Sequence, residues 1–427
     1  MDAFTLIGSL LLLIAMGVPV AYALGLAALV GAWWVDIPFE GVMIKISEGV
    51  NRFTLLAIPF FVLAGAIMAE GGMARRLVNL AFVFVGWIRG GLSLVNILAS
   101  SFFGCISGSS VADTASIGTV MIPQMVKAGY PRVFATNVTI CGSVQAILIP
   151  PSHNAVIYSL AAGGSVSIAA LFIAGVFPGL LLGLSLITLC LFIAHRKGYP
   201  KGEPVPFRQA VRMVIEALWG LGTMIIILGG ILSGVFTATE SAAVACVYAF
   251  LVTMFVYRDY KWKDLPKLVH RTVKTVAMVM ILIGFASAFG YMMAIMQLPA
   301  KITAFFLTVS NDKYVVLLLI NLLLLFLGTL MDLAPLLLIC TPILLPVVKT
   351  FGVDPVHFGM IMMVNLGIGL VTPPVGTTLF VGCAVGKVTI EQVMRGIWPF
   401  YGAMLVTLAL VTYVPAISLW LPHLLKF

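Results

Sequence analysis

No Asp, Glu, Lys or Arg occurs between Arg132 and Arg196. A helix crosses the hydrocarbon core of a bilayer with about 20 apolar residues, so this one gap holds more than one span. Shorter charge-free gaps run from Asp2 to Asp36, Lys274 to Lys301, Asp354 to Lys387 and Arg395 to Lys426. Charged residues make up 9% of the chain and hydrophobic ones 62%. A soluble domain carries about 25% charged residues. This balance excludes a soluble globular enzyme, a disordered chain and a disulfide-stapled secreted module. The first apolar run lacks a basic flank and a small-residue cleavage site and is too long for a signal peptide. The six cysteines sit singly in apolar stretches, with no CxxC pair and no metal-ligand spacing to His, and read as small buried apolar residues.

The net charge of +9 comes from basic residues gathered in a few polar loops, as membrane orientation requires, and not from a nucleic-acid surface. One basic loop carries His195, Arg196, Lys197, Lys201, Arg208 and Arg212. The other carries Arg258, Lys261, Lys263, Lys267, Arg271 and Lys274. Both should be cytoplasmic, and the two apolar runs between them give the matching parity. Asp2 alone flanks the N-terminus and leaves its side undetermined.

The second half of the chain repeats the first. Pro150-Pro151 matches Pro373-Pro374, Gly163 matches Gly386, Val166-Ser167-Ile168 matches Val388-Thr389-Ile390, and Gly175 with Pro178 matches Gly396 with Pro399, all at a nearly constant offset. Chance matching of apolar sequence does not keep such landmarks in order. By the loop parity the copies enter the membrane from opposite sides. Such inverted repeats mark secondary transporters.

Each copy holds an apolar stretch interrupted by a polar, helix-breaking cluster. In copy one, residues 92–106 lead to Ser107-Gly108-Ser109-Ser110 and then to residues 111–125. In copy two, residues 314–327 lead to Gly328, Thr329, Met331 and Asp332 and then to residues 333–345. The geometry expected is a re-entrant hairpin with its tip at mid-membrane, lining a protein cavity because lipid would not tolerate it. Each copy also carries a Pro-Pro break, at Pro150-Pro151 and at Pro373-Pro374. Consecutive prolines remove two backbone donors and hold the preceding residue extended. Carbonyls freed at a break can bind a cation, while the half-helix beyond it offers its positive end to an anion. A tip facing a break therefore suits a hard cation held by oxygens, once per copy.

Because no Lys or Arg lies in the tips or broken spans, a bound anion would be met by cations, half-helix N-termini and hydroxyls. The donors expected there are Ser107, Ser109, Ser152, Asn154 and Thr377. Small serines also pack closely between helices, but three around a glycine at a hairpin break favour ligand contact. Asp113 and Asp332 have two open readings: functional intramembrane acids, or carboxylates that tie down their own hairpins. His153 could carry protons, though a hydrogen-bonding role fits it better. Glu240 reads as a helix-start residue. The methionines read as packing.

These motifs resemble the large membrane (M) subunit of tripartite ATP-independent periplasmic (TRAP) transporters. The resemblance rests on Gly104-Cys-Ile-Ser-Gly-Ser-Ser-Val-Ala-Asp113, Ile149-Pro-Pro-Ser152, Thr239-Glu-Ser-Ala-Ala243, Met331-Asp-Leu-Ala-Pro335 and Val371-Thr-Pro-Pro-Val-Gly376, and spans essentially the whole chain. It implies sodium-driven import of an organic acid across the bacterial inner membrane, the acid being a C4-dicarboxylate, sialic acid or another carboxylate. It also implies a separate small four-span membrane subunit and a periplasmic substrate-binding protein. Two sodium sites are expected, one from Ser107, Ser110, Gly142, Val144 and Ile149, the other from Gly328, Met331, Gly367 and Thr372.

The expected fold is an all-α polytopic membrane protein of about eleven membrane segments, with a scaffold and an elevator-type transport domain. Residues 1–90 and 199–310 would form scaffold spans, interfacial helices and cytoplasmic loops. Residues 91–198 would be repeat one (hairpin 92–125, broken span 133–162), and residues 311–427 repeat two (hairpin 314–346, broken span 357–385). A rival reading is an intramembrane serine protease using Ser107 and His153. It leaves the duplication without purpose, since copy two has neither residue at its tip. A channel is the second rival, but paired hairpins and Pro-Pro breaks suit alternating access better.

Overall fold

The computed structural model describes residues 2–425 and 427. Among these, regular structure is helical apart from one bridge between Arg89 and Lys201. The chain begins with α1 (Asp2–Ala15), α2 (Val20–Trp34), α3 (Phe39–Val50), α4 (Ala57–Glu70) and α5 (Met73–Val85). Copy one comes next: the arms α6 (Gly91–Ser107) and α7 (Ser110–Lys127), then α8 (Arg132–Gly142), α9 (Gln145–Leu148) and α10 (His153–Ala161), then α11 (Ile168–Lys197). Between the copies lie α12 (Phe207–Leu232), α13 (Ala238–Leu251) and α14 (Leu265–Ile295). After α15 (Leu298–Val309), copy two is the arms α16 (Lys313–Leu330) and α17 (Leu333–Thr350), the broken pair α18 (Pro355–Gly369) and α19 (Thr377–Gly386), and α20 (Ile390–Tyr413). A final α21 (Ala416–Leu424) closes the chain.

Eight helices among the described residues are long and apolar enough to cross a membrane, or nine if the bent run from Arg132 to Ala161 is one span. The rest of the expected segments are shorter apolar helices such as α2, α6 and α18, which need partners to reach across. Large apolar side chains such as Phe4, Phe192 and Phe326 stand exposed, as a surface facing lipid or a membrane partner requires.

Helix ends obey local chemistry. Thr237 and Glu240 form a reciprocal capping box at the start of α13, so Glu240 is the helix-start residue expected. Thr389 and Gln392 do the same for α20. Asp354 accepts from Val356 and His357 N–H ahead of Pro355, which occupies the first turn of α18.

The two copies build one interlocked body. All of α18 from His357 to Gly369 is buried, and so is α8 from Phe134 to Gly142. A helix as apolar all round as α18 belongs inside a large core, and α8 joins it with Thr136, Asn137 and Thr139 buried. Across the copies, α7 packs on α19 and α17 on α10, a reciprocal exchange of hairpin arm and broken half-helix. α8 meets α20, α11 meets α18, and the long helices α11 and α20 lie together. Tyr158 of α10 donates to the Pro355 carbonyl at the start of α18 across the copies (2.6 Å), and within copy two Tyr401 of α20 donates to the Val371 carbonyl at the second break (2.7 Å). Gly175 lets α11 pass over the first break: a Cβ there would lie 2.1 Å from the Leu148 carbonyl oxygen.

A second group of helices packs around α14, which contacts α2, α3 and α4, while α13 lies on α4 and α12 on α13. It is fastened at the end bearing the basic loops. There Arg76 pairs with Asp259 (2.6 Å) and lies over the Tyr257 ring (3.7 Å), and Arg271 pairs with Glu70. Against this frame, α4 touches the tip of the first hairpin. A Cβ on Gly65 would lie 3.4 Å from the Ser107 Cα.

Candidate substrate and cation site

The first hairpin turns through Gly108 at φ +58°, a left-handed conformation that favours glycine. Ser109 caps α7, its Oγ accepting the Ala112 N–H (3.4 Å). Ser107, the last residue of α6, accepts the Ser109 N–H at its Oγ (3.4 Å). The tip rests on the first break. A Cβ on Gly108 would meet the Pro151 carbonyl oxygen at 3.0 Å, and Asn154 donates to the Gly108 carbonyl (3.2 Å). Ser107, Ser109, Ser152 and Asn154 are thus brought together. Ser107 and Ser109 are half-buried, whereas Ser152 and Asn154 are buried.

The second tip repeats this arrangement. α16 ends at Leu330, Met331 is extended, and Asp332 caps α17 by accepting the Leu333 N–H (3.0 Å). The Thr329 carbonyl accepts the Val375 N–H from the second break (3.0 Å). Thr377 donates to Asp332 (3.3 Å). Gly328 lies directly on Gly369, where a Cβ would sit 2.7 Å from Gly328 backbone. The copies are joined at the centre by the Ser110 and Thr378 hydroxyls, 2.7 Å apart.

Four half-helices, α7, α10, α17 and α19, therefore begin within this linked cluster. Their free N–H groups and dipoles favour an anion, each by about 0.3–1 kcal/mol and more when partly buried. The helices that end there supply carbonyls instead. Ile149 is extended at the first break, and among the described residues no donor reaches its carbonyl. At the second break, Leu370 N–H bonds Leu366 and Val371 N–H bonds Ile368, which passes over the Gly367 carbonyl. Gly142 and Val144 lie at an additional kink between α8 and α9. Their carbonyls accept from the Gln145 side chain (3.0 Å) and the Ile147 N–H (3.2 Å). Thr372 Oγ donates to the Ile368 carbonyl (2.7 Å).

The two acids differ. Asp332 is exposed and holds its own hairpin. Asp113 does not: it is fully buried, and neither carboxylate oxygen has a hydrogen-bond partner among the described residues. The reading in which each acid ties down its own hairpin holds only for Asp332, because Ser109 caps α7 and leaves Asp113 no role there. The Ser100 hydroxyl is equally buried and lies beside the Asp113 carboxyl without a bond of good geometry to it, and a Cβ on Gly142 would lie 3.8 Å from that hydroxyl. Buried oxygens without donors suit a cation, since an unpaired buried carboxylate costs several kcal/mol. The Ser152 hydroxyl is a further unpartnered oxygen at the first break. His153 is half-buried on the first turn of α10, and its ring makes no hydrogen bond among the described residues.

Several site features carry no strong sequence signal. Ser110 and Thr378 come together only through tertiary packing. Asn321 donates to Thr412 (3.0 Å) and accepts from Asn365 (2.8 Å) inside copy two. Two asparagines in otherwise apolar runs were the available clue.

Comparison with known proteins agrees with this architecture. The family model described as "Tripartite ATP-independent periplasmic transporter, DctM component" matches residues 7–417. The chain is 38% identical to the C4-dicarboxylate TRAP transporter large permease protein DctM of Rhodobacter capsulatus, with both chains covered in full. It is 40% identical to the sialic acid TRAP transporter large permease protein SiaM of Vibrio cholerae, over 96% of this chain and 95% of that one. The solved YdaH transporter of Alcanivorax borkumensis shares the fold at a TM-score of 0.62 and 14% identity, covering 99% of this chain and 98% of that one.

Proposed function

The chain belongs to the DctM component family of tripartite ATP-independent periplasmic transporters, and from that premise we propose that it couples sodium entry to import of an organic acid. As a multi-pass large permease of such a transporter it is no enzyme, and it works with a substrate-binding protein and a small membrane subunit. The protease reading of Ser107 and His153 falls with that assignment. The membrane is the bacterial inner membrane, with the basic loops in the cytoplasm. The small subunit is of the four-span type, and the binding protein delivers the acid from the periplasm.

The single observation carrying this reading is the pair of hairpin tips, each set against a Pro-Pro break and joined through Ser110 and Thr378. Relatives named for C4-dicarboxylate and sialic acid point to a carboxylate as the cargo. Its charge is met by the four half-helix N-termini and by the hydroxyls of Ser107 and Ser109, with Asn154 bracing the first tip and Thr377 engaged by Asp332. Sodium is the co-substrate. In copy one, the buried Asp113 carboxyl, with the Ser100 hydroxyl beside it, adds oxygens next to the expected donors Ser107, Ser110, Gly142, Val144 and Ile149. In copy two, the Gly367 carbonyl, the end of α16 at Gly328 and Met331, and Thr372 surround the second break. One charge moved inward through 100 mV supplies about 2.3 kcal/mol, enough to favour uptake when more positive than negative charge enters. The interlocked body of copies one and two would move against the frame around α14 as an elevator.

Ser107→Ala and Ser109→Ala are each expected to weaken uptake at limiting substrate about ten-fold, because a hydrogen bond to a charged group contributes about 1.5–3 kcal/mol. Assembly with the small subunit should be intact. Wild-type substrate affinity in both variants would move the anion away from the first hairpin.

A further inference from the structure

A cavity of about 320 Å³ lies where α3 and α14 face α10 and α17. It is separate from the hairpin tips. Leu160 and Leu338 form part of its apolar wall, and Lys45, Glu48, Arg52 and Tyr291 its polar wall. Lys45 and Glu48 come from α3 and Tyr291 from α14, while Arg52 joins this wall because the frame carries a break of its own. α3 stops at Val50, Asn51 and Arg52 leave helical geometry, and the chain resumes through a single 3₁₀ turn before α4.

Charge makes this break unusual. Val50 packs against Gly284 of α14, where a Cβ would lie 3.2 Å from Val50 Cγ1. Gly284 sits inside the charge-free run from Lys274 to Lys301, about 15 Å along the helix from Lys274 at 1.5 Å per residue. Arg52, exposed like its neighbours Asn51 and Phe53, lines the cavity beside this apolar stretch of α14, and a charge in such a place calls for a role. Lys45 is already engaged, paired with Glu48 (2.6 Å) and held over the Tyr291 ring (5.6 Å). Arg52 has no ion pair among the described residues. With Lys45 and Glu48 cancelling, the cavity keeps one net positive charge, on a planar group with five donors that fits a carboxylate in a two-pronged way.

We propose that this cavity is a second anion site, in which Arg52 holds a carboxylate of the organic acid before it reaches the hairpin tips. The proposal rests on the import reading above and extends it to the path of the acid. The cavity lies toward the end of the bundle opposite the basic loops, the side from which the acid would arrive. It also sits between the frame and the interlocked body, where binding sites preferentially form. An anionic lipid headgroup offers the same chemistry to Arg52 and is the competing occupant.

The test is charge-selective labelling of the complex with its small subunit in nanodiscs. Gly290 lines the cavity and has nothing within 4 Å of an added Cβ, so Gly290→Cys places a thiol there without a clash. The six native cysteines are buried and stay silent. An anionic methanethiosulfonate should react about ten-fold faster than a cationic one, and adding Arg52→Gln should bring the two rates together. Arg52→Gln alone should raise the KM for uptake with little change in kcat. The labelling ratio needs neither sodium nor transport, so it stands or falls separately from sodium coupling. Equal rates with Arg52 present would overturn the site. An Arg52→Gln effect seen in phosphatidylcholine but lost in phosphatidylglycerol would hand the cavity to a lipid headgroup. An unchanged KM would remove it from the path of the acid.

Discussion

Pro150→Ala combined with Pro151→Ala is expected to lower the apparent sodium affinity of uptake about a hundred-fold while the protein still inserts and assembles. The two prolines take two N–H donors out of the chain between α9 and α10, which meet at a bend of 53°. Ile149 is held extended, and its carbonyl stays free. Alanines restore both donors, which would take up the Ala146 and Ile147 carbonyls four residues earlier, and let the two pieces join as one helix, which returns the Ile149 carbonyl to a helical hydrogen bond as well. Losing two oxygen ligands to a charged partner, at about 1.5–3 kcal/mol each, amounts to roughly a hundred-fold or more. The measurement is sodium titration of uptake, with size-exclusion and circular dichroism to establish folding. An unchanged titration curve in a well-folded double variant would place the cation away from the breaks.

Asp113→Asn is expected to have an effect of similar size through charge alone. The substitution keeps the shape of a side chain that is 0% exposed. Two unit charges 4 Å apart interact by about 4 kcal/mol at an effective dielectric of 20, so removing one should weaken sodium binding a hundred-fold or more. Thermal stability without sodium should not fall, because a buried carboxylate without partners is a cost to the fold and not a support. The rise in Tm on adding sodium, which comes from binding to the folded state alone, should largely disappear. A variant that keeps the full sodium-induced rise would show that Asp113 is neutralised by a proton instead.

The parts of this fold legible in the sequence are those written in local chemistry. Ser107-Gly108-Ser109 breaks a helix because glycine takes the left-handed turn and serine caps the next arm. The Pro-Pro pairs break one because prolines have no N–H to give. Thr237 and Glu240 announce a helix start in four residues. The less legible parts depend on which surfaces meet. The added kink between Gly142 and Gln145 has no proline. It forms where Gln145 turns back to bond Gly142 and accepts from Ser101 on the neighbouring arm (2.6 Å). The contact between Ser110 and Thr378 spans two copies far apart in sequence. The break at Asn51 and Arg52 is marked only by a cluster of charges between apolar runs, and packing against α14 is what sets it beside the cavity. The contrasting surroundings of Asp113 and Asp332 arise from burial, which two similar motifs do not reveal.

Uptake by proteoliposomes holding this chain with its small subunit, supplied with the matching binding protein and screened against organic acids, tests sodium coupling most directly. An inward sodium gradient should drive accumulation of a carboxylate, an inward-negative membrane potential should increase it, and a pH gradient alone in sodium-free buffer should drive none. Full accumulation from the pH gradient without sodium would contradict the account.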